Sequence, residues 1–109
     1  QNFVSFLINY KGFLAGLMNN EVSLEQNGIK RRCDTLVSDR YGNPLVIVEY
    51  KAPNVEITQK VFDQIVRYNF VLKAKYLIVS NGLSHYCCSI NYDRGNYCFL
   101  KEIPVYSDL

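Results

Sequence analysis

The chain reads as blocks of regular hydrophobic spacing separated by turn residues. In residues 2–9, apolar side chains at Phe3, Val4, Phe6 and Leu7 predict a helix, while Gly12 and Gly16 leave the next turn unassigned. Val22 and Leu24 alternate with polar neighbours up to the turn pair Asn27-Gly28, which predicts a strand. A second strand runs through Thr35, Leu36 and Val37. It ends at a turn that Asp39 opens and in which Gly42, three residues on, takes the left-handed conformation. Leu45 to Val48 form an unbroken apolar run, the pattern of a strand covered on both faces, and Pro53 closes the segment. From Thr58, a good N-cap, Val61, Ile65, Tyr68 and Leu72 recur at spacings of four, three and four and predict the clearest helix. Residues 75–82 then give a short buried strand ended by Asn81-Gly82, and residues 84–103 a hairpin turning at Asp93, Arg94 and Gly95.

The order is therefore helix, three strands, helix, strand and hairpin. A strand, a helix and a strand in succession form a crossover unit, so the third and fourth strands should be parallel and the preceding hairpin antiparallel. The expected fold is α/β, with a mixed central β-sheet flanked by helices: an α-β-β-β-α-β core plus a C-terminal hairpin. With 109 residues, 49% of them hydrophobic, residues 1–109 fit one domain with a modest core. Gln1 lies already inside an apolar pattern, so a fragment truncated at its N-terminus is expected. No run of about eighteen apolar residues occurs, and no charged leader precedes a short apolar block, so the expectation is a cytoplasmic domain without a membrane partner.

Charge and cysteine usage narrow the picture only a little. Cys33, Cys87, Cys88 and Cys98 lack paired metal spacing and sit among apolar or aromatic neighbours, so they read as reduced core or strand residues. His85 and Cys87 share a strand face, but two ligands do not close a metal site. A net charge of +2 does not by itself identify a nucleic-acid partner. The basic residues are grouped, however: Lys30, Arg31 and Arg32 are consecutive, and Lys60, Arg67, Lys73 and Lys75 fall in one short region. That grouping permits phosphate binding, although a solvated surface also accounts for it.

The chemistry gathers where the buried strand ends. Side chains alternate along a strand, so Ile47, Glu49 and Lys51 share one face. If the second and third strands pair with Leu36 opposite Ile47 and Val37 opposite Val46, Asp34 faces Glu49. Two facing carboxylates repel, and a divalent cation offsets them better than Lys51 alone; magnesium prefers a few carboxylate oxygens and keeps positions for water and phosphate. A tight three-residue turn at Arg40, Tyr41 and Gly42 slips the pairing by one and separates the acids. A shared face therefore requires a one-residue bulge or a wider loop. On the helix, Gln64 and Tyr68 are four apart and share a face next to the apolar stripe. The amide of Gln64 can serve a phosphate or a bound water, or simply meet solvent, with Tyr68 in the core. Without Asp34 on their face, Glu49 and Lys51 read as an ordinary ion pair at a strand end.

Taken together, "RRCD" at 31–34, "EYKAP" at 49–53 and "QIVRY" at 64–68 resemble the PD-(D/E)xK nuclease superfamily. The similarity is to the N-terminal nuclease domain of type I restriction enzyme R subunits and their small stand-alone relatives, and it runs from about Glu21 to Gly82. It implies a restriction-endonuclease-like fold and magnesium-dependent cleavage of DNA, with manganese able to substitute. It also implies Asp34, Glu49 and the Tyr50 backbone carbonyl as metal ligands, and Lys51 as the group that activates water and stabilises phosphate charge. Gln64 and Tyr68 would support the site and contact DNA, with Arg31, Arg32 and Arg67 on the DNA side. Implied partners are DNA and the motor, specificity and methylation subunits of a restriction complex. Cys33 stands where the family typically has proline, and no acid on the first helix matches one seen in many relatives. The chain has no G-x-x-x-x-G-K-[ST] loop, so it carries no ATP site of that kind. Two other readings remain: a DNA-binding or regulatory module of the same fold with weak or no catalysis, and a plain α/β interaction domain.

Overall fold

A computed structural model describes residues 2–26, 28–68, 70 and 72–109; the side chains of Asn2, Leu24, Gln26, Ile29, Arg31 and Tyr68 fall outside the described ones. The elements are α1 (Asn2–Lys11), β1 (Met18–Gln26), β2 (Ile29–Ser38), β3 (Pro44–Tyr50), α2 (Gln59–Tyr68), β4 (Tyr76–Ser80), β5 (His85–Asn91) and β6 (Asn96–Leu100). They build one six-stranded sheet in sequence order, β1-β2-β3-β4-β5-β6. Every neighbouring pair is antiparallel except β3 and β4, which run parallel across the α2 connection, as the strand-helix-strand pattern requires.

Strand alternation divides the core between the two faces of the sheet. Val46, Val48, Ile78 and Cys87 pack with Phe3 and Leu7 of α1. Ile47, Leu77, Val79 and Cys88 pack with Phe62, Ile65 and Val66 of α2. Both faces of β3 and β4 are thus covered, which accounts for their unbroken apolar runs. Burial pushes the Cys87 and Cys88 thiols up to about 12, and both are inert core residues at neutral pH. No described helix is long and apolar enough to cross a membrane.

The β2-β3 pairing contains the expected irregularity. Leu36 faces Ile47 and Val37 faces Val46, and then the register shifts so that Ser38 faces Pro44, a bulge between Val37 and Ser38. The turn beyond it is tied to one carboxylate. Asp39 Oδ1 accepts the backbone N–H groups of Tyr41 and Asn43, each at 2.9 Å, and Gly42 takes a φ of 84°. Those donors favour the ionised form and hold the Asp39 carboxyl below its ordinary value. Because that pKa is depressed in the folded state, the stabilisation is present above the ordinary carboxylate pKa and is lost as pH falls through the depressed one. Asp39→Ala should therefore lower the melting temperature at neutral pH, and the gap to the native chain should narrow on acidification. A pH-independent gap in thermal melts would contradict this origin.

Two features differ from the sequence expectation. Regular α2, described over Gln59–Tyr68, does not extend to Leu72, and it buries Phe62, Ile65 and Val66, with Val61 only partly buried. The buried stripe is thus rotated by about one residue from the expected one. Its N-terminus is as expected: Thr58 Oγ1 accepts the Val61 N–H at 3.3 Å, and the Thr58 carbonyl accepts that of Phe62 at 3.0 Å. The second feature is Glu21, with a φ of 54° within β1. Met18 and Val37 belong to the α1 side of the core, whereas Val22 and Cys33 belong to the α2 side. Residues two apart on a regular strand share a face, so the left-handed residue marks where the β1-β2 hairpin rotates. Asn20 pairs with Thr35 and Val22 with Cys33, which leaves Asp34 across from Glu21 at the pivot.

Candidate active site at the end of β3

The β3 strand leaves the core over a single residue: Ile47 and Val48 are fully buried, while Glu49 and Tyr50 are partly exposed. Glu49 lies beside Val79 in the parallel register, on the α2 side with Ile47. Lys51 falls just past the strand, yet its backbone N–H still donates to the Ser80 carbonyl at 2.7 Å. The extended alternation therefore continues through Lys51 and keeps it on the Glu49 side.

Asp34 arrives from β2. The β2-β3 pairing ends at Thr35 and Val48, and beyond it Asp34 Oδ2 accepts the Tyr50 backbone N–H at 2.7 Å. A side-chain carboxylate thus continues the ladder where the strand backbones part. In an extended strand the N–H and C=O of one residue project to the same edge, so the Tyr50 carbonyl points to the Asp34 side. Cys33 reports on both acids. Its fully buried thiol is pushed up to about 11, first by desolvation and then by the negative charges of Glu49 and Asp34. The charges of both acids are thus felt by one thiol at the β2-β3 junction.

The remaining residues singled out from sequence are more scattered. Gln64 is exposed, and at 100° per residue it lies on the side of α2 away from Phe62 and Val66. Its exposure leaves the amide open to solvent, one of the two places the sequence allowed it. The side chains of Tyr68 and Arg31 lie outside the described residues. Arg67 is exposed in the last turn of α2, and exposed Arg32 pairs with Glu21 at 2.7 Å. His85 Nδ1 lies 2.7 Å from Ser80 Oγ, and its ring stacks on Phe3 with centroids 4.6 Å apart. No group of three or more His, Cys, Asp or Glu side chains arranged to hold a metal occurs among the described residues.

From sequence Asn81 marks only a turn. Its side chain donates to the Val55 carbonyl at 2.8 Å and accepts the N–H groups of Leu83 and Ser84, tying the loop after Lys51 to the end of β4. Its place next to a glycine after a buried strand was the available signal.

These elements define a class: a mixed α/β domain in which Asp34 on β2 bonds the backbone of β3 at Tyr50, between Glu49 and Lys51, where a strand covered on both faces leaves the core. Residues 1–104 match the family described as the type I restriction enzyme R protein N terminus, and the chain belongs to that family. Its fold is similar to a fragment of a putative HsdR subunit of a type I restriction enzyme from Vibrio vulnificus YJ016, with a TM-score of 0.63 and 22% identity over 94% of this chain. The chain spans 22% of the length of that protein. No curated protein matches the sequence.

Proposed function

We propose that this chain is a metal-dependent DNA endonuclease domain of the kind found at the N-terminus of type I restriction R subunits, with a restriction-endonuclease-like fold of the PD-(D/E)xK superfamily. The observation that carries the reading is the Asp34 carboxylate held at 2.7 Å by the backbone N–H of Tyr50, the residue that lies between Glu49 and Lys51. The donor set fits a hard cation. Two carboxylates and the Tyr50 carbonyl offer oxygen only, and their small number suits magnesium or manganese, which retain several waters, better than a closed zinc cage.

When bound, such an ion supplies an activated water and neutralises charge on a phosphate. Asp34 and Glu49 would hold it through their carboxylate oxygens, and the Tyr50 N–H fixes the orientation of Asp34. The Lys51 ammonium donates hydrogen bonds to the attacking water and to the phosphate oxygen that gains charge. Arg31, Arg32 and Arg67, with Gln64 and Tyr68, serve the DNA backbone or the site margin. Arg32 shares its charge with Glu21 and so contributes less attraction than an unpaired arginine. In this reading the domain acts on cytoplasmic DNA within a complex that also has motor, specificity and methylation subunits.

Metal titration tests the site. Manganese or magnesium should raise the melting temperature, because a ligand at a hundred times its Kd adds about 2.7 kcal/mol to the native state. Asp34→Ala should remove that rise. A native chain whose melting temperature ignores both metals would overturn the metal site and leave a plain interaction domain. A metal response without cleavage of DNA would favour the weakly catalytic DNA-binding module.

A further inference from the structure

Behind the two acids, on the α1 side of the sheet, three polar side chains form a relay. Thr35 is fully buried, and its Oγ1 lies 2.8 Å from Asn20 Oδ1 and 3.0 Å from the Tyr50 hydroxyl. An amide oxygen only accepts and a threonine hydroxyl carries one proton, so Thr35 donates to Asn20 and Tyr50 donates to Thr35. Three neighbouring strands are thereby joined through side chains. Tyr50 is held by two consecutive residues of β2: its backbone N–H by Asp34 and its phenol by Thr35. Phe3 closes the arrangement edge-on, with ring centroids 6.3 Å apart.

The relay sits where regular pairing fails. The β2-β3 ladder ends at Thr35, and left-handed Glu21 follows Asn20 directly, at the pivot where β1 and β2 change faces. Asp34 stands on that pivot, one residue past the last paired position. What fixes its carboxylate is the Tyr50 N–H, and what fixes Tyr50 on the opposite face is Thr35 backed by Asn20.

We infer that the Asn20-Thr35-Tyr50 relay is a positioning device for the divalent-cation site: by locking Tyr50 it sets the approach of Asp34 and the Tyr50 carbonyl to Glu49. The inference rests on the reading of Asp34 and Glu49 as metal ligands. Partners that orient ligands in this way commonly matter to affinity almost as much as the ligands themselves.

Manganese binding, followed by titration calorimetry on the 109-residue chain, tests it without reference to cleavage. Tyr50→Phe and Thr35→Val should each weaken binding by roughly tenfold to a hundredfold. Thr35→Ser, which keeps the hydroxyl, should bind close to the native chain. Tyr92→Phe is the control: it removes a comparable bond, 2.5 Å to the Ala74 carbonyl, far from the acids. It should lower the melting temperature and leave manganese affinity unchanged. If Tyr50→Phe and Thr35→Val bind manganese as tightly as the native chain, the relay has no positioning role, although the metal site stands. If Tyr92→Phe weakens binding equally, general loosening explains the effect and the inference is overturned. If the native chain itself binds no manganese, the reading of Asp34 and Glu49 fails, and the relay's role falls with it.

Discussion

Lys51→Ala should abolish manganese-dependent nicking of plasmid DNA while leaving the fold and metal binding in place. The bond that holds this position in the sheet is a main-chain one, from the Lys51 N–H to the Ser80 carbonyl at 2.7 Å, and it survives truncation of the side chain. The proposed acidic ligands come from other residues, so manganese should still raise the melting temperature. In the proposed mechanism what disappears is a positive charge serving water and phosphate, and removing one preorganised donor of this kind costs on the order of a hundredfold to a thousandfold in kcat. Lys51→Arg should rescue poorly: the planar guanidinium keeps its proton and occupies a different shape from a compact ammonium. Circular dichroism, metal-dependent melting and plasmid relaxation separate the three readouts. Cleavage at the native rate by Lys51→Ala would remove Lys51 from the chemistry, whatever the fate of Asp34 and Glu49.

The conditional geometry of this site was legible because β3 offers strong constraints. Its apolar run is buried on both faces, and the turn from Asp39 to Gly42 leaves few registers, so a shared face for Asp34 and Glu49 required either a bulge or a wider loop. The bulge at Val37 and Ser38 is present. Less legible was Glu21. A positive φ at a glutamate is set by tertiary packing, and no glycine or asparagine marks that position. The face change it allows places Cys33 in the α2-side core while Thr35 faces α1, which simple alternation does not predict. In α2 the sequence contains two overlapping apolar stripes. The one with Phe62 and Val66 is buried because it meets Leu77, Cys88 and the β6 aromatics, and periodicity alone cannot choose between the two. The Asn20-Thr35-Tyr50 contacts are not legible in sequence because they depend on three strands at once, though a lone threonine beside Leu36 and Val37 is their trace.

Phe62→Ala should bring the largest loss of stability, about 3–5 kcal/mol in urea denaturation. Small domains are stable by roughly 5–15 kcal/mol in total, so the variant should stand close to unfolding at 37 °C. Phe62 is 1% exposed, and its ring centroid lies 4.7 Å from Phe99 and 5.4 Å from Tyr97. It is therefore the aromatic anchor between α2 and the edge strand β6. Truncation leaves a cavity that the paired strands beneath it cannot collapse to fill. The polar support at the same seam cannot compensate. The Tyr97 hydroxyl and the Gln59 amide both donate to Asp63 at the partly exposed margin of α2, where such contacts contribute little. Burial and the Asp63 charge push the Tyr97 phenol up to about 12, so this contact is unchanged across the neutral range and offers no pH-dependent reserve. Phe62→Leu, which retains most of the volume, should cost clearly less. A Phe62→Ala chain that loses under about 1 kcal/mol would mean that α2 is docked chiefly by Ile65 and Val66.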